Sequence, residues 1–179
     1  QQFGGPGNDL AFTLDTDNSG NVIVGGQFRG TSSFGAMSYT SVSNSITGEQ
    51  GYDLFLVRLN STGNVIWSKH GFSGYDDRVT SVSFGQNSEV FAGGQFSDTL
   101  TLDAVHSFAG FNFSFLAKFS SSGSEMWFKP MIALQVTQRE IDFRNGTVLV
   151  SGEYQGQLYY NGATLSGLTS TYPNKCFLL

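Results

Sequence analysis

Apolar and polar positions alternate along this chain in short bursts, and the bursts recur in a fixed order. Val22-Ile23-Val24-Gly25-Gly26-Gln27-Phe28 runs an apolar strand into a small residue, a glycine and an aromatic. Val90-Phe91-Ala92-Gly93-Gly94-Gln95-Phe96 and Val148-Leu149-Val150-Ser151-Gly152-Glu153-Tyr154 repeat it. Eight residues beyond Gly26, Gly94 and Gly152 an apolar residue meets turn formers, at Phe34-Gly35-Ala36, Leu102-Asp103-Ala104 and Tyr160-Asn161-Gly162. That predicts a small hairpin at one offset in every copy. An alternating strand follows at Asp53–Leu59 and Phe113–Phe119, and a third begins at Lys175-Cys176-Phe177. A turn and a Trp strand come next, and both Gly63 to Gly123 and Trp67 to Trp127 are separated by sixty residues. One more strand and turn precede each copy, at 11–21, 79–87 and 140–146.

The pattern predicts an all-β chain of three repeats, approximately 4–70, 71–131 and an incomplete 132–179, within one segment spanning 1–179. Each repeat reads as a four-stranded antiparallel meander with a decorated middle connection. One such sheet cannot bury both faces alone, and radial stacking of four-stranded sheets is the β-propeller solution. Gly25-Gly26, Gly93-Gly94 and Ser151-Gly152 are expected where neighbouring sheets crowd together. Trp67 and Trp127 are expected as equivalent core residues between sheets. Gln1 aligns with the tail of a fourth strand and Leu179 with Val57. Three blades do not close a ring, so the expectation is part of a larger propeller, completed by further sequence or by another chain.

These landmarks resemble the SBBP-type β-propeller repeat of exported bacterial proteins. The likeness rests on Asp17-Asn18-Ser19-Gly20-Asn21, Val22-Ile23-Val24-Gly25-Gly26, Asp53-Leu54-Phe55-Leu56-Val57-Arg58-Leu59 and Gly63-Asn64-Val65-Ile66-Trp67, and it extends over nearly the whole chain. The later copies depart from it: Ser88-Glu89 stands for Gly20-Asn21, Phe113 for Asp53, and the third copy lacks its Trp strand. Gly63 and Trp67 also give a weaker likeness to quinoprotein-like propellers. The resemblance implies architecture and export to the cell surface or medium, and no reaction.

Composition narrows the function classes. Of 179 residues 13% are charged, 23 are Gly and 17 are Phe, and the formal net charge is −5. Nucleic-acid binding needs a basic footprint, so no nucleic-acid partner is expected. No apolar run reaches the ~18 residues of a membrane span. Cys176 is the sole cysteine, which excludes an intrachain disulfide framework.

Candidate chemistry is sparse. Asp15-Thr16-Asp17-Asn18-Ser19-Gly20 has the start of a calcium loop, but the twelfth position is Gly26 where a bidentate Glu is needed; it reads as a structural turn. Asn8-Asp9 and Asp76-Asp77 share one repeat position and read as turn-bonding aspartates. His70 and His106 fall at unrelated positions and make no ligand set. Sequons at Asn60, Asn112 and Asn145 read as coincidence in a Ser/Thr-rich chain. No residue is assigned a catalytic, cofactor-binding or metal role, and no cofactor is expected. The expectation is a non-enzymatic interaction or adhesion module with a protein or glycan ligand. Its variable surfaces would be the loops 29–52, 97–112 and 155–174. The alternatives are a propeller hydrolase or lyase with its site at the central channel, and a carbohydrate-binding propeller using Tyr39, Tyr52, Tyr159, Tyr160 and Tyr172.

Overall fold

Turn chemistry punctuates the chain into strands. The computed structural model describes residues 2–108, 113–133, 135–166 and 175–179. Residues β1 (Asp9–Thr16), β2 (Val22–Phe28), β5 (Asp53–Leu59) and β6 (Val65–Gly71) form a four-stranded antiparallel meander in that order. The hairpin β3 (Thr31–Phe34) and β4 (Met37–Thr40) is inserted between β2 and β5. The second copy repeats this with β7 (Arg78–Phe84), β8 (Val90–Phe96), β11 (Phe113–Phe119) and β12 (Glu125–Ile132), and inserts β9 (Thr99–Thr101) and β10 (Val105–Ser107). The third consists of β13 (Gln135–Arg144), β14 (Thr147–Gln155) and β17 (Lys175–Leu178), with the hairpin β15 (Gln157–Tyr160) and β16 (Ala163–Ser166). All pairings are antiparallel, and among the described residues the only helical piece is a 3-10 turn at Gln86–Ser88.

The three predicted hairpins form where the turn residues stand. Asn161-Gly162 in the third of them, and Asn145-Gly146 in the turn between β13 and β14, adopt positive φ at both turn positions, as the mirror-image turns of two-residue hairpins require. Each hairpin also clasps the tail of the preceding repeat's last strand: Ser33 bridges Gly4, Thr101 bridges Phe72, and Tyr159 pairs with Ile132. These are equivalent positions. In the third copy the clasp lengthens to two pairs and joins β15 and β16 to the second sheet, making it six-stranded. The third copy therefore differs from the expected meander in lending its hairpin to its neighbour. Phe3-Gly4 lies where the other copies place a Trp-strand tail, with Phe3 stacked on Phe34.

A feature absent from the sequence reading recurs in all three sheets. The first strand carries a bulge at the same place, between Ala11 and Thr13, Val79 and Ser81, and Gln138 and Glu140. The glycine pairs divide their labour around it. A Cβ on Gly26, Gly94 or Gly152 would lie 2.0, 2.0 or 2.3 Å from the carbonyl oxygen of Leu10, Arg78 or Thr137 across the bulge. Phe55, Phe115 and Phe177 lay their rings on these same glycines, covering bare backbone as strand glycines require. The other member of each pair faces the next sheet. A Cβ on Gly25 would meet Val79 at 2.5 Å, and one on Gly93 would meet Gln138 at 2.5 Å. The expectation of crowding between sheets thus holds for Gly25 and Gly93, while Gly26, Gly94 and Gly152 serve the bulge.

The sheets stack face to face, and the first strands run side by side in the same direction. Side-chain oxygens of one first strand accept main-chain N–H groups of the next. Thr13 Oγ1 accepts from Val82 and Asp15 Oδ2 from Phe84; Ser81 Oγ accepts from Ile141 and Ser83 Oγ from Phe143. The two pairs occupy equivalent positions. Apolar cores fill the space behind them: Ile23, Leu54 and Leu56 meet Val82, Ala92 and Phe115, and Phe91 and Leu116 meet Ile141 and Val150. The tryptophans correct the expectation in degree. Both are partly buried and pack against the edges of these cores. The Trp67 ring rests on Gly123 in the neighbouring turn and its Nε1 donates to the Ser121 carbonyl at 3.2 Å.

Since Gln138 is fully buried and bonded to Thr80, it cannot swing away from a side chain at position 93. Gly93→Val is expected to cost about 1–3 kcal/mol in denaturant unfolding. A cost below about 0.5 kcal/mol, the range of an unremarkable surface change, would show that the sheets are not held at this distance by Gly93.

Candidate functional site

The first strands line a groove, and its two ends differ in charge. At one end Gln27, Arg78, Gln95 and Thr137, from all three sheets, surround a cleft of about 420 Å³ with Tyr52, Asp76 and Ser97 on its rim. Arg78, Gln95 and Thr137 also border an adjoining hollow of about 280 Å³, reached by Phe12, Gln138 and Arg139. At the other end a hollow of about 520 Å³ is bordered by Asp15, Asp17 and Asp142 and the turns around Ser19 and Asn87.

The repeat explains why side chains reach the first cleft. Gln27 and Gln95 hold the same position, one residue before the aromatic that ends the second strand. Arg78 opens β7 opposite Gln95, and its Nε donates to Gln95 Oε1 at 2.7 Å while Nη2 donates to the same oxygen. Gln95 Nε2 in turn donates to Thr137 Oγ1 at 3.0 Å, tying the second sheet to the third. Arg78 forms no ion pair with a carboxylate among the described residues. Gln27 is nine-tenths buried, yet its side-chain amide has no hydrogen bond within the described protein. Gln138 Nε2, fully buried beside the second hollow, also lacks one. A buried orphan such as Gln138 Nε2 costs free energy unless a ligand or water meets it, whereas the Gln27 amide borders the cleft. The cleft therefore offers a guanidinium and amide groups to a polar occupant.

The aspartates singled out in the sequence are engaged in holding backbone. Asp9 accepts from Gly5 N at 2.7 Å and from Ser32 Oγ at 2.7 Å. Asp77, its equivalent, accepts from Ser73 N at 2.5 Å and Ser73 Oγ at 2.8 Å. Asp17 accepts from the main-chain N–H groups of Ser19 and Asn21 and from Asn21 Nδ2 and Ser88 Oγ. Burial pushes the Asp17 carboxyl up, but these hydrogen bonds outweigh it and hold it below its ordinary value. Asp15 caps Phe84 N, and Asp142 pairs with Arg144. The three acids at that mouth are thus structural acceptors or paired. Among the described residues no three His, Cys, Asp or Glu side chains gather as a metal-ligand set. His106 pairs with Glu125 at 3.1 Å and stacks on Phe128, apart from His70. Of the tyrosines proposed for sugar contact, Tyr52 lies at the cleft; Tyr172 lies outside the described residues.

The sequence reading missed one buried pair. Asp53 is fully buried; its Oδ2 meets His70 Nε2 at 2.5 Å and accepts from Val42 N at 3.0 Å, while Oδ1 has no partner. It fastens the long loop of the first repeat to its sheet. The second repeat has Phe113 and Pro130 at these positions, so no repeat pattern points to the pair.

Burial raises the Asp53 carboxyl above its ordinary value, and raises that of Asp77 well above it, with Asp53 and Asp76 adding to the effect on Asp77. A raised folded value stabilises most below the unfolded value near 3.8, and that contribution is lost as pH rises through the folded value. Asp77→Asn removes this loss. The stability of Asp77→Asn relative to wild type should therefore increase from pH 4 to pH 7 in thermal melts. An unchanged difference across that window would mean Asp77 is ionised in the folded protein at acidic pH.

No protein-family model matches the chain, and no curated protein is detectably similar to it.

Proposed function

We propose that the three stacked sheets are blades of a β-propeller of the SBBP type, serving as a non-enzymatic interaction or adhesion module of an exported or surface-attached bacterial protein. The architecture is supported by equivalent first strands lining one groove and by the same bulge and inter-sheet bonds in successive copies. In this reading further blades complete the ring. The observation that carries the binding role is the cleft at the groove's end. Three sheets contribute to it, and it presents Arg78 free of any carboxylate partner among the described residues and the side-chain amide of Gln27, which lines the cleft without a hydrogen bond among the described residues. Loop residues Tyr52 and Ser97 edge it, so segments that vary between repeats meet the part that does not, as in scaffold-borne binding surfaces generally.

A propeller hydrolase or lyase would need a poised acid or base at the channel. The carboxylates at the acidic mouth instead accept main-chain hydrogen bonds or pair with arginine. A carbohydrate ligand is the second reading, favoured by Tyr52 beside amide and guanidinium donors in one cleft.

The test is a printed glycan array together with a panel of purified extracellular matrix proteins, probed with the whole chain. Arg78→Ala and Gln27→Ala are expected to weaken any binding found at least tenfold while the melting temperature holds. Binding indifferent to both variants would move the site elsewhere. Turnover of chromogenic glycosides or esters, abolished by Asp142→Asn, would replace the binding role with an enzymatic one.

A further inference from the structure

The stacking contact is made twice within the chain, and each outer sheet displays one half of it. On the first sheet Leu14 occupies the position of Val82 and Ile141. Those two are 4% and 2% exposed, whereas Leu14 is 67% exposed. On the third sheet Leu178 occupies the position of Leu56 and Leu116. They are 0% and 2% exposed, and Leu178 is 70% exposed. Leu149, in the place of buried Ile23 and Phe91, is 38% exposed. The first sheet thus shows the face that the second and third sheets bury, and the third shows the face that the first and second bury.

We propose that these two faces dock on each other head to tail between two copies of this chain, so that a dimer closes a ring of six sheets. The complementarity extends beyond apolar character. Inside the chain Gly25 faces Val79 and Gly93 faces Gln138, a bare backbone against a large side chain. On the open faces the corresponding residues are Ser151 and Ala11. The larger residue on one side is matched by a smaller one on the other, so this chain's own first sheet fits its own third. The polar ladder also continues. Glu140 and Asp142 stand in the places of Ser81 and Ser83. Glu140 faces the position where a partner's Leu14 would present its main-chain N–H, and Asp142 that of Thr16, whose N–H meets Asp15 Oδ1 at 2.7 Å within the single chain; Asp15 already performs the task with a carboxylate toward Phe84 at 2.7 Å. Copies of one unit with such a heterologous contact either close or polymerise; six sheets is within the usual range for rings of this kind.

The docking follows from the repeat contact and is independent of the cleft's binding role. Its test is light scattering and native mass spectrometry on the whole chain. Wild type is expected at twice its 19.4 kDa mass. Leu14→Glu and Leu178→Glu, both at exposed positions, should each run as single chains with unchanged circular dichroism. Mixed one to one, they should recover a dimer containing one of each, because one intact contact remains between them. A wild type that stays at 19.4 kDa at high micromolar concentration overturns the proposal. So does a dimer that survives either variant, an open polymer, or a mixture that stays monomeric, the last marking a like-to-like contact.

Discussion

The structure depends on how closely the first strands of successive sheets approach. Each is an edge strand, and its outward main-chain N–H groups would be orphaned if nothing reached them. The neighbouring first strand supplies short oxygens at alternate positions: Thr13 and Asp15, then Ser81 and Ser83. That reach is possible only because Gly25 and Gly93 leave room for Val79 and Gln138. The bulge places those residues on the stacking face while keeping the rest of the strand in register with its own sheet. Packing of Leu54, Leu56 and Phe115, or of Phe91, Leu116 and Ile141, then stabilises a separation that the glycines have set.

Arg58 shows how the stack is secured at its periphery. It is buried, donates to the carbonyls of Ser88 and Ser121 in two turns of the next sheet, and lies over Phe84. Lys118 at the equivalent position pairs with Glu89 at 2.8 Å and lies over Phe91. Both cations meet a carboxylate, Arg58 that of Asp17 at 3.8 Å, but only the guanidinium also bridges carbonyls of two turns, while the lysine acts as a point charge. The basic residue at this place is structural rather than part of a ligand surface.

Much of this was legible in the chain, and the reasons are local. Hairpins announce themselves through turn residues at fixed offsets, and strands through alternation, so the order of elements follows directly. Two features had no such origin. A bulge adds one residue without changing composition, and Phe12, Thr80 and Arg139 at that position share no chemistry. The Asp53–His70 pair spans two strands and occurs in one copy, so neither spacing nor repetition exposes it. Likewise the cleft joins Gln27, Arg78 and Thr137 across more than a hundred residues of sequence, and only the stacking brings them together.

The charge asymmetry of the groove follows from the same stacking rule. Oxygens that satisfy a neighbour's N–H groups sit on the first strand toward its turn end, and this chain supplies them from Thr13, Asp15, Ser81 and Ser83. Where the chain uses Asp15 in place of a hydroxyl, and sets Asp142 at the same position beside Arg144, acidic side chains collect at one mouth without any demand from a substrate. The Asp17 carboxyl there is held ionised by its hydrogen bonds, the opposite of what a general acid at neutral pH requires. The other mouth lies beyond the bulge, where the first strand no longer serves its neighbour in this way. There Gln95 ties the second sheet to the third through Thr137 and holds Arg78 beside it, while Gln27 carries no such bond among the described residues. A ligand surface can evolve where the scaffold claims fewer of the side chains, and in this fold that is the cleft end and not the acidic one.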